Sequence, residues 1–166
     1  MGNMAIGGNV TVEIKTPAGE LLQVIKAKNR IPDEGLNYFR DLTGGAVGRP
    51  DYQAIGTGTA APTAADTALG ASVLSKQIDR RIDADKEVTF QTIFLAGEGN
   101  GNTISEIGLF YGSVLIARAI LSPTIEKALV PGTDTLRDLL KYRPELDGVP
   151  LAYERTMSES YPCRLI

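Results

Sequence analysis

Hydrophobic and polar residues alternate in short runs along most of the first 125 positions. The earliest run, Val10-Thr11-Val12-Glu13-Ile14-Lys15, puts Val10, Val12 and Ile14 on one face of an extended strand. Pro17 and Gly19 supply turn chemistry and residues 21–27 read as the returning strand, so the pattern opens with a hairpin. Between 29 and 43 the period changes. Leu36, Phe39 and Leu42 recur at helical spacing, Pro32 suits a helix start, Asp33 and Glu34 suit its positive end, and Gly44-Gly45 stops it. One short helix packed against a sheet is expected there.

The stretch 52–59 reads as a strand running into glycines. Residues 60–69 are small and Thr-rich, too apolar for a solvated linker and too irregular for a strand; they predict an ordered loop lying across the domain, anchored by Leu69. Residues 73–82 read as one strand with Leu74, Ile78 and Ile82 on a face, followed by a turn at 83–86. The next strand, 87–95, sets Val88, Phe90 and Phe94 against Thr89, Gln91, Ile93 and Leu95; it turns apolar on both faces and reads as central. A glycine loop at 97–102, a strand at 104–111, a tight turn at Gly112-Ser113 and a partner strand at 114–121 complete the series. Short strands at regular spacing with Gly-rich turns predict a mainly β fold, an antiparallel β-sandwich with one short helix after the N-terminal hairpin. Pro123 and Pro131-Gly132 interrupt the pattern. Residues 133–142 hold Leu136, Leu139 and Leu140 at helical spacing, with a closing strand as the alternative, and 149–166 show no clear period. The expected organisation is a single domain over 1–148 and an extended arm over 149–166.

Composition narrows the function classes. The chain has 166 residues, 43% hydrophobic and 22% charged, an ordinary globular balance, with 18 Gly and 9 Pro for its turns and no Trp. Histidine is absent, which removes Ser-His-Asp catalysis and histidine metal ligation. Net charge is −3. The basic residues Lys76, Arg80 and Arg81 are interrupted by Asp79 and followed by Asp83 and Asp85, so they read as a solvated face rather than the basic stripe a nucleic-acid binder needs. The single cysteine, Cys163, can make neither an intrachain disulfide nor a zinc site. No secretory or myristoylation signal and no apolar run long enough to span a bilayer is present, which predicts a soluble protein made in a cytoplasm with no membrane partner.

Candidate chemistry is sparse. Glu98 and Glu106 flank the glycine loop and invite comparison with a glycosidase pair, but a turn residue and an exposed strand residue are the expected roles. Gly97-Glu98-Gly99-Asn100-Gly101 and Gly56-Thr57-Gly58-Thr59 lack the Lys-Ser/Thr and following helix of a phosphate loop; they predict positive φ or close chain approach instead. Calcium would need several converging oxygens, and only Glu98 is charged in its loop. No catalytic, cofactor-binding or metal residue is assigned, no cofactor is implied, and the chain reads as a non-enzyme.

Two long motifs stand out: Ala54-Ile55-Gly56-Thr57-Gly58-Thr59-Ala60-Ala61-Pro62-Thr63-Ala64-Ala65-Asp66-Thr67-Ala68-Leu69-Gly70, and Gly97-Glu98-Gly99-Asn100-Gly101-Asn102-Thr103-Ile104-Ser105-Glu106-Ile107-Gly108-Leu109-Phe110 followed by Leu115-Ile116-Ala117-Arg118-Ala119. In this order they resemble a family of small tail, baseplate or tail-fibre-associated virion proteins encoded by tailed phages and prophages, over roughly residues 30–125. The resemblance implies a β-rich virion component without catalysis, a homo-oligomer whose partners are copies of itself and other virion proteins. Tail or baseplate is the expected place; a capsid decoration (cement) protein and a receptor- or carbohydrate-binding fibre module, with Tyr38, Tyr52 and Tyr111 as candidate aromatics, are the alternatives. The chain departs from the family pattern in its extra N-terminal hairpin and in the Leu- and Arg-rich stretch at 134–142.

Overall fold

Two antiparallel sheets account for the alternation. In a computed structural model, the described residues are 6–15, 19–84, 86–95, 97–127 and 163–165. The N-terminal hairpin forms as its pattern dictates: β1 (Asn9–Lys15) pairs with β2 (Leu21–Lys28). The remaining elements are α1 (Asp33–Thr43), β3 (Tyr52–Gly56), β4 (Ser72–Gln77), β5 (Arg80–Ala84), β6 (Glu87–Phe94), β7 (Thr103–Tyr111), β8 (Val114–Glu126) and β9 (Cys163–Leu165). One sheet runs β2-β1-β9-β6-β5 and the other β4-β3-β7-β8. Val12, Ile25 and Phe94 of the first sheet share one core with Ile55, Ile104, Ile107, Leu121 and Ile125 of the second. Val10 and Ile14 pack against that core with Val12, as period-two alternation requires.

Four expectations need correction. The stretch 73–82 is two strands in different sheets. The chain crosses at Ile78-Asp79, where Ile78 N–H donates to Asp51 O and Asp79 N–H to Gln91 O, both at 2.9 Å. Asp79 then accepts from Ile93 N–H at 2.6 Å, and Ile82 lands on an exposed edge strand. Second, α1 turns a different face inward. Its buried residues are Gly35 and Tyr38, while Leu36 is 50% exposed, Leu42 36% exposed and Phe39 half-buried. A Cβ at Gly35 would stand 2.8 Å from Ile31 Cγ2 and against the Ile116 carbonyl of β8, so the helix approaches the sheet at a position only glycine tolerates. Pro32 sits just outside the helix as its N-cap, and Gly44 closes it with an N–H to Arg40 O at 3.1 Å.

Third, Pro123 does not end its strand. β8 absorbs Ser122, Pro123 and Thr124 as an exposed irregularity, because its pairing with β7 jumps from Glu106↔Ile120 to Ile104↔Ile125. Fourth, Cys163–Leu165, placed by the pattern in an arm, forms β9 inside the first sheet, paired with β1 on one side and β6 on the other. The proposed helix at 133–142 and the rest of the arm lie outside the described residues.

Candidate functional site: a buried acid–guanidinium clamp

The outer face of the β3-β7-β8 sheet carries the main polar cluster. Ile107 points into the core, so its neighbour Glu106 points the other way, and cross-strand register puts Arg118 opposite Gly108 and diagonal to Glu106. A charged residue in each of two apolar strands is costly unless the charges meet. They do: Arg118 Nε donates to Glu106 Oε2 at 2.8 Å, with the Glu106 side chain fully buried and that of Arg118 4% exposed.

The loop 57–71 closes over this pair. Glu106 Oε1 accepts from Gly58 N–H at 2.9 Å and Ala71 N–H at 2.7 Å, and Oε2 accepts from Gly70 N–H at 3.0 Å. Arg118 Nη1 donates to Asp66 Oδ2 at 2.8 Å and Nη2 to Ala60 O at 3.1 Å. Asp66 also accepts from the backbone N–H and hydroxyl of Thr63, and Ser105 Oγ donates to Gly58 O. Leu69 is buried beside Gly108, the anchor its sequence predicts. Asp33 N–H, at the start of α1, donates to Ala64 O at 2.8 Å, which ties the loop to the helix.

Gly58 explains the glycine motif. A Cβ there would lie 2.7 Å from Glu106 Cδ, so the backbone reaches the carboxylate only because this residue has no side chain. The sequence expectation of close chain approach holds at this position, whereas Glu106 is buried rather than exposed. Burial pushes the Glu106 carboxyl up, but the N–H groups of Ala71 and Gly70, the Arg118 guanidinium and the Gly58 N–H hold it below the usual carboxylate range. Asp66 is lowered to about 2, first by the Thr63 hydroxyl and N–H and then by Arg118. Two carboxylates held ionised, with every oxygen engaged, fasten the loop to the sheet.

Glu98 belongs to a second fastening. Its Oε2 accepts from Lys76 Nζ at 2.9 Å and Leu95 N–H at 2.7 Å; Lys76 Nζ also donates to Ile93 O, and Lys127 Nζ to Leu95 O at 2.7 Å. These bonds link β4 of one sheet to the end of β6 in the other. Glu98 and Glu106 share none of these partners. Arg80 and Arg81 lie exposed on β5, with Arg81 paired to Asp83. Of the three candidate aromatics, Tyr38 is buried with its hydroxyl on Gly48 O at 2.8 Å, its ring 5.7 Å from that of Tyr111, and Tyr52 is on β3. Among the described residues, no group of three or more His, Cys, Asp or Glu is placed to hold a metal ion, and no helix is long and apolar enough to cross a membrane.

Sequence reasoning passed over Asp66 and Arg118 as chemistry. The signal was present: Arg118 sits inside Leu115-Ile116-Ala117-Arg118-Ala119-Ile120-Leu121 and Glu106 inside Ile104-Ser105-Glu106-Ile107, two apolar strands of one hairpin with opposite charges. Searches of protein-family models, curated proteins and solved structures return no match to this chain.

Proposed function

We propose that this chain is a non-enzymatic structural component of a tailed-phage virion, placed in the tail or baseplate and assembling with copies of itself and with other virion proteins. One observation carries the reading. Asp66, Glu106 and Arg118, the charged residues at the heart of the motifs that resemble virion proteins, direct their hydrogen bonds at the motif's own loop. The motif thereby ties its charged groups to its own backbone and makes a fixed surface, which supports a structural role. Apolar side chains remain exposed elsewhere: Leu21 and Val24 on β2, at one edge of its sheet, and Leu36 and Leu42 on α1. A net charge of −3 sets little repulsion between like subunits.

The fibre-module alternative loses support from Tyr38, whose ring is buried rather than lining a cleft. The test is mass spectrometry of purified virions with gold-labelled antibody imaging. Label on the tail or baseplate is expected. Label on the capsid reassigns the chain to decoration, and its absence from virions overturns the proposal.

A further inference from the structure

The first sheet is completed in an unusual way. β1 pairs with β9 through Val12↔Leu165, Glu13↔Arg164 and Ile14↔Cys163, and β6 pairs with β9 through Thr92↔Leu165, Ile93↔Arg164 and Phe94↔Cys163. Since β9 is antiparallel to both, β1 and β6 run parallel with a slot between them, and three residues of β9 fill it. The slot lies over the most protected part of the fold: Val12, Thr92 and Phe94 are all fully buried. An empty slot would leave the facing N–H and C=O groups of both strands unpaired beside that core.

The chain that reaches this slot is long. Residues 128–162 separate Lys127 from Cys163, and those 35 residues span up to ~115 Å when extended. A folded chain of this size has a radius of gyration of about 15 Å. The covalent connection therefore does not dictate which copy's slot β9 enters. The same backbone bonds form in either case, so the choice rests on loop closure and on how densely copies are packed.

We propose that the slot between β1 and β6 is a strand-acceptor site, filled in the assembled protein by Cys163–Leu165 of a neighbouring copy. This rests on the self-association part of the reading above and not on the phage assignment. Each subunit then donates one strand and accepts another, so dissociation requires both sheets to open.

The test uses the full chain and its single cysteine. Opposed residues in an antiparallel ladder have Cα atoms roughly 4.5–5.5 Å apart, within disulfide reach. One chain carries Ile14→Cys with Cys163→Ser; the other keeps Ile14 and Cys163 and bears a longer tag. Neither can form the 14–163 bond alone. Co-expressed, assembled and oxidised, they should give a reducible heterodimer as the main cross-linked species, with the 14–163 peptide pair in its digest. In parallel, a chain with Ile14→Cys and native Cys163 reports the intrachain bond. Exclusive intrachain bonding in a protein that light scattering shows to be oligomeric overturns strand exchange and leaves self-association standing. A monomer at every concentration overturns both. Should Ile14→Cys not fold, the half-buried Glu13→Cys and its register partner Arg164→Cys, split between two Cys163→Ser chains, replace the pair. Absence of an interchain bond with that pair in an oligomeric protein ends the proposal.

Discussion

Arg118 faces Gly108 across the β7–β8 hairpin and leans diagonally to Glu106, its Nε 2.8 Å from Oε2. With no side chain directly opposite, the guanidinium lies along the sheet surface with its remaining N–H groups turned outward to Asp66 and Ala60 O. A charge pair that would be a liability alone becomes the attachment point of a fifteen-residue loop, 57–71, because both Glu106 oxygens and both terminal nitrogens of Arg118 find loop groups.

Removing one partner leaves the other buried and unbalanced. Glu106→Gln should destabilise the protein by about 3–5 kcal/mol, the usual cost of breaking a buried ion pair. Urea unfolding followed by circular dichroism measures it; a loss below about 1 kcal/mol would show that the clamp contributes little.

Acid should loosen the loop first. Asp66 falls to about 2 from an ordinary 3.8, and Glu106 also lies below its ordinary 4.5. A carboxylate with a depressed folded value contributes stability above its unfolded value and loses it as pH falls through the folded one. Stability should be flat above about pH 5 and decline from there toward about pH 2. Asp66→Asn should be weaker than the parent at pH 7 and converge with it near pH 2, as denaturation midpoints across that range would report.

Gly58→Ala should cost about 1–3 kcal/mol by forcing a methyl against the Glu106 carboxylate. Gly97→Ala is the control. A Cβ at Gly97 would meet nothing within 4 Å, so this change should be neutral or stabilise by up to about 1 kcal/mol. Thermal melts of the two variants side by side separate a packing requirement from glycine content.

The inward face of α1 yields a fourth test. Leu36→Glu should change stability by no more than about 0.5 kcal/mol, since its side chain is half in solvent. Gly35→Ala, one residue earlier, should cost about 1–3 kcal/mol against the Ile116 carbonyl. The opposite ranking would place the leucines in the core.

That ranking also shows where sequence patterning was informative. Period-two alternation located β1 and β2, whose outer faces stay partly wet; β7 and the first part of β8 are buried on both faces, and their apolar runs on either side of the Gly112-Ser113 turn marked them instead. Patterning misled at α1, where the leucines stand outside and close backbone approach at Gly35 orients the helix. It also misled at 73–82, where the continuous apolar period conceals a crossover made by backbone bonds of Ile78 and Asp79. The clamp was legible only as oddly placed charges. Asp66 and Arg118 lie 52 positions apart, and nothing local announces that they meet.

The position of β9 also bears on biosynthesis. Once residue 126 has left the ribosome, every strand of the four-stranded sheet and every group of its clamp is available to pair. The five-stranded sheet must wait for residues 163–165. Until they emerge, a nascent chain holds β1 and β6 with open flanks, so translation speed over codons 127–165 and the spacing of ribosomes on one message both influence which subunit completes which.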